Sequence, residues 1–167
     1  MKELWGVIKR AKPGQLAELM ILCLKNIRFV FPTYKATKSA VAFANTHFGL
    51  SHRRNTPANA FRHALWNWLI AKACFRIASD KEKVLLWTKK ITDMHEKILP
   101  GNAVSNAMDL HNNAVGRQAF KTITVPDIDS GVAFFLELTE CSQKVNTLEE
   151  IMQSPLSQLV HLIDTKL

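Results

Sequence analysis

The chain has 167 residues, 47% of them apolar and 22% charged, a balance that excludes intrinsic disorder and gives one domain enough core to fold without disulfide or metal staples. Its formal charge of +8 is unevenly placed: residues 1–56 hold ten Lys or Arg against Glu3 and Glu18, residues 57–121 hold ten against five acids, and residues 122–167 hold two against seven. Such asymmetry points either to an anionic partner (nucleic acid, anionic lipid, an acidic protein or a phosphorylated substrate) or to an acidic tail packed against a basic head.

In chain order the pattern is helical almost throughout. Breaks at Pro13-Gly14, Phe31-Pro32, Gly49, Asn55-Thr56-Pro57, Pro100-Gly101, Thr124–Pro126 and Ser154-Pro155 leave candidate helices near 3–11, 14–30, 33–48, 57–79, 81–98, 103–121, 127–144 and 155–165, with a short turn near 147–152. Pro57 suits a first helical turn, where its missing N–H costs nothing, and Asn55 or Thr56 can cap it. Ser79-Asp80 can cap the next helix. In the helix near 127–144, Ile128, Val132, Phe135, Leu136 and Leu138 can face a core. Trp5, Trp66, Trp68 and Trp87 read as core or rim packing, and Cys23, Cys74 and Cys141 as buried thiols without zinc-like spacing. The expected fold is all-α: a single compact bundle of about seven or eight helices spanning 1–167, its motif-bearing core at 57–121.

Three consecutive helices each carry a polar stripe. At about 100° per residue, Asn59, His63 and Asn67 share one face, flanked by Arg62 and Trp66, and the stripe turns apolar at Ile70 and Cys74. Thr88, Thr92 and His95 share a face of the next helix, with Glu96 beside them. In the third, Asn106, Asp109, Asn113 and Arg117 align, opposite Met108, Val115 and Ala119. If these helices are neighbours, the stripes converge on one cleft.

His63, His95 and Asp109 are donor types for a divalent metal (Zn, Mn or Fe), and such an ion would lower the pKa of a bound water toward about 7. Glu96 suits a further ligand or a general base. Arg62 and Arg117 suit an anionic substrate or the charge of a transition state. Asn67, Asn112 and Asn113 suit substrate binding or ligand orientation, and Gly116 would let another helix, or a ligand, come close to the backbone. The alternative is a buried ion-pair and hydrogen-bond network that fixes helix registry. His47, His52, His111 and His161 fall outside the stripes. "HEKIL" (95–99) is not a zincin motif, because Leu99 stands where a second histidine is needed.

The motifs "NAFRHALWN" (59–67), "DMHEKI" (93–98) and "AMDLHNNAVGR" (107–117), in this order over about residues 30–121, resemble an uncharacterised bacterial all-helical domain family found in toxin-like or secreted proteins. The resemblance implies a shared site at Arg62, His63, Asn67, His95, Glu96, Asp109, Asn112, Asn113 and Arg117, and it fits an effector, without naming a reaction.

The leading functional expectation is a metal-dependent hydrolase acting on a phosphoester or other anionic substrate. The alternative is a non-catalytic helical binding module for nucleic acid, anionic lipid or an acidic protein. No span of about 20 clean apolar residues and no cleavable leader is evident, so the expected location is cytoplasmic, with export by a signal-less route.

Overall fold

Helix α3 (Pro57–Ala78) is the central helix of the bundle, in contact with four of the other helices. The computed structural model describes residues 10–124 and 127–164. Among them α1 spans Pro13–Lys25, α2 Ile27–Phe48, α4 Lys81–Ile98, α5 Ala103–Thr122, α6 Ile128–Glu140 and α7 Leu148–Gln153. A 3₁₀ turn, Ser51–Arg53, joins α2 to α3, and two-residue strands β1 (Gln143–Lys144) and β2 (Val160–His161) pair in parallel, Gln143 opposite Val160. The all-α bundle is therefore the fold. The helix expected near 3–11 lies largely outside the described residues.

α3 is buried nearly all round because it is apolar or small on every face but one. Phe61, Leu65, Trp68, Leu69, Ile70 and Cys74 pack with Phe29, Ala36, Ala40 and Ala44 of α2, Trp87 of α4 and Phe135 of α6. The last face carries Asn59, His63 and Asn67, also buried. Two close approaches fix its neighbours. A Cβ on Gly116 would lie 2.1 Å from the Ala64 carbonyl oxygen, so α5 crosses α3 backbone to backbone. A Cβ on Gly131 would meet the Trp68 ring at 2.3 Å, which seats α6.

The helix starts follow local chemistry. Asp80, Asn102 and Asp127 cap α4, α5 and α6 by accepting from the backbone N–H of Lys83, Ser105 and Ser130. Thr56 stands at the start of α3 but sends its hydroxyl to the Ser51 carbonyl, and Ser79 closes α3 in the left-handed region.

Three expected boundaries are corrected. Pro32 does not break the chain but lies inside α2, one turn in. The break falls at Asn26, whose amide reaches back to the Leu22 carbonyl at 3.1 Å and competes with the helical ladder. Packing holds α2 through the proline: Phe29 is buried just before it, and the Trp87 and Trp66 indoles donate to Thr33 and Thr37 just after. The second correction is at the helix expected near 155–165: its described part, 155–164, is not helical. Pro155 stops α7, and the chain then runs extended because the Val160 N–H and C=O are both taken by the Asn112 side chain, at 3.0 and 2.9 Å. Third, the helix near 127–144 ends at Glu140, and Gln143–Lys144 turn into β1.

Cys141 is exposed and Cys23 half-buried, so only Cys74 is the buried thiol expected of all three. On α6, Val132 and Phe135 are core, while Ile128 is exposed. No helix among the described residues is long and apolar enough to cross a membrane.

Candidate functional site

The three stripes do converge. α3 supplies His63 from its one polar face, α4 supplies Glu96 and Thr92, and α5, drawn in by Gly116, supplies Asp109, Asn113 and Arg117.

His63 stands at the centre with a single carboxyl beside each ring nitrogen. Glu96 Oε1 lies 3.5 Å from Nδ1, and Asp109 Oδ1 lies 3.4 Å from Nε2. The Arg62 guanidinium is 2.8 Å from Nε2. Because Arg can only donate, this contact makes Nε2 an acceptor and puts the ring proton on Nδ1. Nδ1–H then donates to Asn113 Oδ1 at 3.1 Å. The imidazole is neutral, with a defined tautomer.

A shell of amides and hydroxyls holds this centre. Asn113 Oδ1 also accepts from Asn67 Nδ2 at 2.7 Å, and Asn113 Nδ2 donates to Glu96 Oε1 at 3.0 Å. Asn67 Oδ1 in turn accepts from Thr92 Oγ1 and from Arg117 Nη1, at 3.1 and 2.8 Å. Arg62 braces itself on Asn59 Oδ1 at 2.9 Å. Asn59 and Thr92 thus belong to the network although sequence reasoning placed them only on the stripes. Their position on the same helix faces as His63 and Glu96 was the available signal.

The electrostatics follow from burial. It pushes the Glu96 carboxyl up to about 7, the neighbouring Asp109 charge adding to the effect and the Asn113 hydrogen bond opposing it. Asp109 is likewise pushed up to about 7 by burial, against the Arg62 charge. Burial, then the charges of Arg62 and His95, holds His63 well below the ordinary histidine range. The centre therefore holds two carboxyls that exchange protons near neutral pH, on either side of a neutral base. Glu96 is the inner one, its side chain 6% exposed, and Asp109 the outer one at 19%. Asp109 Oδ1 accepts no hydrogen bond among the described residues, and neither does Asn106 Oδ1, one turn earlier on the same face. Two unsatisfied acceptors one turn apart on this face can take hydrogen bonds from a water or from a ligand that brings donors.

The remaining candidates do not touch His63 directly. His95 lies edge-on against the Trp66 ring, centroids 5.1 Å apart, and is lowered to about 4 by burial and then by the Arg62 charge. Among the described residues, no three His, Cys, Asp or Glu side chains are grouped to hold a metal ion. Asn112 turns away from the cleft and spends its amide on Val160. His111 likewise bonds the Gln158 carbonyl, at 2.9 Å. Arg117 reaches the network through Asn67 and lies beside Lys89, Lys121 and Leu156 in a shallow groove of about 350 Å³.

Fold and site together define a helical-bundle domain with a buried histidine–carboxyl centre clamped by asparagines. Residues 20–145, well over half of the chain, match the family described as "Domain of unknown function (DUF6973)", and the chain belongs to that family. No curated protein and no solved structure matches it.

Proposed function

We propose that this domain is a hydrolase of a phosphoester or related anionic substrate, working by acid–base chemistry at Asp109, His63 and Glu96. The observation that carries this reading is the neutral imidazole of His63 set between two carboxyls, with the Arg62 guanidinium on the outer side. A purely structural network pairs its charges fully; this one leaves Asp109 Oδ1 without a hydrogen-bond partner among the described residues.

In this reading Arg62 holds the anionic group, and Asp109, at the outer edge, takes a proton from the attacking water. The new P–O bond forms as the bond to the alcohol oxygen breaks, and that oxygen takes the proton back. Between these two transfers His63 passes the same charge inward and back: Nε2 accepts the proton from Asp109 while Nδ1 releases one toward Glu96, and the relay reverses to return a proton to Asp109 before the alcohol oxygen takes it. Asn113 and Asn67 keep the ring oriented for both transfers. Glu96 thereby acts as a buried proton acceptor, and Arg117 as a brace on Asn67. A divalent metal is the variant of this reading that the donor types suggest. His63 Nε2 and Asp109 Oδ1 would be its donors, and Arg62 would have to swing away.

The test is hydrolysis of 4-nitrophenyl phosphate and bis(4-nitrophenyl) phosphate by the full chain, with chelator and with added zinc or manganese. Turnover that falls about 10²-fold or more in Asp109→Asn and His63→Ala supports the reading. Persistence in chelator supports proton chemistry alone, and strict metal dependence the variant. Turnover unchanged in Asp109→Asn, or absent under every condition, contradicts it.

A further inference from the structure

α1 is the one long helix of the described residues with no fully buried side chain. Its inner face, Leu16, Leu19, Leu22 and Cys23, is only half-buried against the bundle, and its outer face is also apolar. Met20, Ile21 and Leu24 are 64%, 54% and 70% exposed, and the stripe continues into α2 with Ile27 and Phe31 at 67% and 62%. Isolated exposed apolar residues are ordinary; five large ones on successive turns mark a contact surface.

The charges around the stripe identify the contact. On these two helices Lys25, Arg28, Lys35 and Lys38 are exposed, and Glu18 is the only acid within residues 10–56. Glu18 is engaged by Lys97 at 2.5 Å. Lys25 and Arg28 flank Leu24 and Ile27 directly, and the Lys35 ammonium lies 4.6 Å from the Phe31 ring centroid. A nucleic-acid backbone would satisfy the cations but leave Met20, Ile21, Leu24 and Ile27 in water. A second copy joined through this face would bring two sets of like charges together.

We propose that α1 and the start of α2 form a docking surface for an anionic lipid bilayer. The apolar stripe enters the headgroup boundary, and the lysines and arginines stay level with the lipid phosphates, their stems lying along the same apolar surface. Insertion is shallow, because neither helix is long and apolar enough to span. The surface is separate from the His63 centre, although its helix borders the one that carries Glu96: Gln15 donates to the Lys97 carbonyl at 2.9 Å.

Co-sedimentation of the full chain with vesicles tests this. Phosphatidylcholine vesicles containing roughly one-third phosphatidylglycerol should bind the protein, and phosphatidylcholine alone should not. Binding should weaken about tenfold as salt rises from about 50 to about 500 mM. The variant Ile21→Ser, Leu24→Ser, Ile27→Ser should lose about tenfold or more in partitioning while its circular dichroism stays helical. Lys25→Gln with Arg28→Gln should weaken binding to the anionic vesicles. Absence of binding to anionic vesicles, or binding that the apolar triple variant retains in full, overturns the proposal. So does salt-sensitive binding to duplex DNA or polyglutamate, or self-association, that depends on the same side chains while vesicle binding is absent.

Discussion

Two buried polar regions sit on opposite sides of α5, and they are built differently. On one side Asn112 and His111 clamp the C-terminal segment. Asn112 gives both amide atoms to the Val160 backbone, and His111 gives Nε2 to the Gln158 carbonyl. These bonds run from side chain to backbone, and their partners cannot ionise. On the other side Asn113, the very next residue, ties His63 to Glu96, and its bonds run from the amide to side chains that titrate. Adjacent asparagines thus serve two ends: Asn112 satisfies a peptide that has no strand partner on that edge, and Asn113 sets the tautomer of a base. The identity of the residue does not tell these roles apart; what its partners can ionise to does.

The largest expected effect comes from removing the approach that brings the second region together. In Gly116→Ala the new methyl meets backbone atoms of Ala64, at 2.1 Å from the carbonyl oxygen, so α5 must move off α3. We expect a loss of about 3 kcal/mol or more in chemical denaturation, and a loss of turnover in whatever remains folded.

Asn112→Ala breaks the first region alone. It strips both hydrogen bonds from the buried Val160 peptide, and a loss of about 2–4 kcal/mol is expected. The turnover of the folded fraction should be unchanged. A collapse of turnover at full stability would merge the two regions and undo the comparison.

Glu96→Gln should act in the opposite direction. The folded pKa of Glu96, about 7, lies above its ordinary value of 4.5, so the folded state holds the extra proton between those values. The contribution of this group to stability therefore falls as pH rises from about 4.5 to 7. His63 and His95, lowered by burial, run the other way below their ordinary range, so wild type alone shows a blurred profile. The difference between variant and wild type reads Glu96 together with its coupling to Asp109: the glutamine form should gain on wild type across that window, by on the order of 1–3 kcal/mol at pH 8. Melting temperatures taken at several pH values read it directly. The smallest effect should come from Leu24→Ser, which is 70% exposed and should change stability by about 0.5 kcal/mol or less in denaturant melts.

The second region was legible in the sequence because helical period alone aligns Asn59, His63 and Asn67 on one face, and Asp109, Asn113 and Arg117 on another. Their meeting required only that the helices be neighbours, which Gly116 suggested. The clamp was not legible. His111, Asn112 and Val160 are linked across 47 or 48 positions, and no local pattern in "SPLSQLVHLI" distinguishes a last helix from a chain held extended by an amide. The same limit explains Asn112, assigned with Asn67 and Asn113 to substrate binding or ligand orientation. It also explains His95, whose place on the stripe of Thr88 and Thr92 did not reveal that its ring faces Trp66. Pro32 misled for a related reason: local propensity marks a break there, while Phe29, Thr33 and Thr37 are held by contacts with distant tryptophans.

The proton inventory of the centre is the central claim, and heteronuclear NMR of the side-chain carboxyl carbons and imidazole nitrogens, followed from about pH 4 to 9, reads it directly. The structure predicts that Glu96 and Asp109 titrate near pH 7, as a coupled pair, and that His63 stays neutral with its proton on Nδ1 to well below 6.5. Carboxyl carbons that titrate near pH 4, together with a His63 that titrates near 6.5, would contradict it.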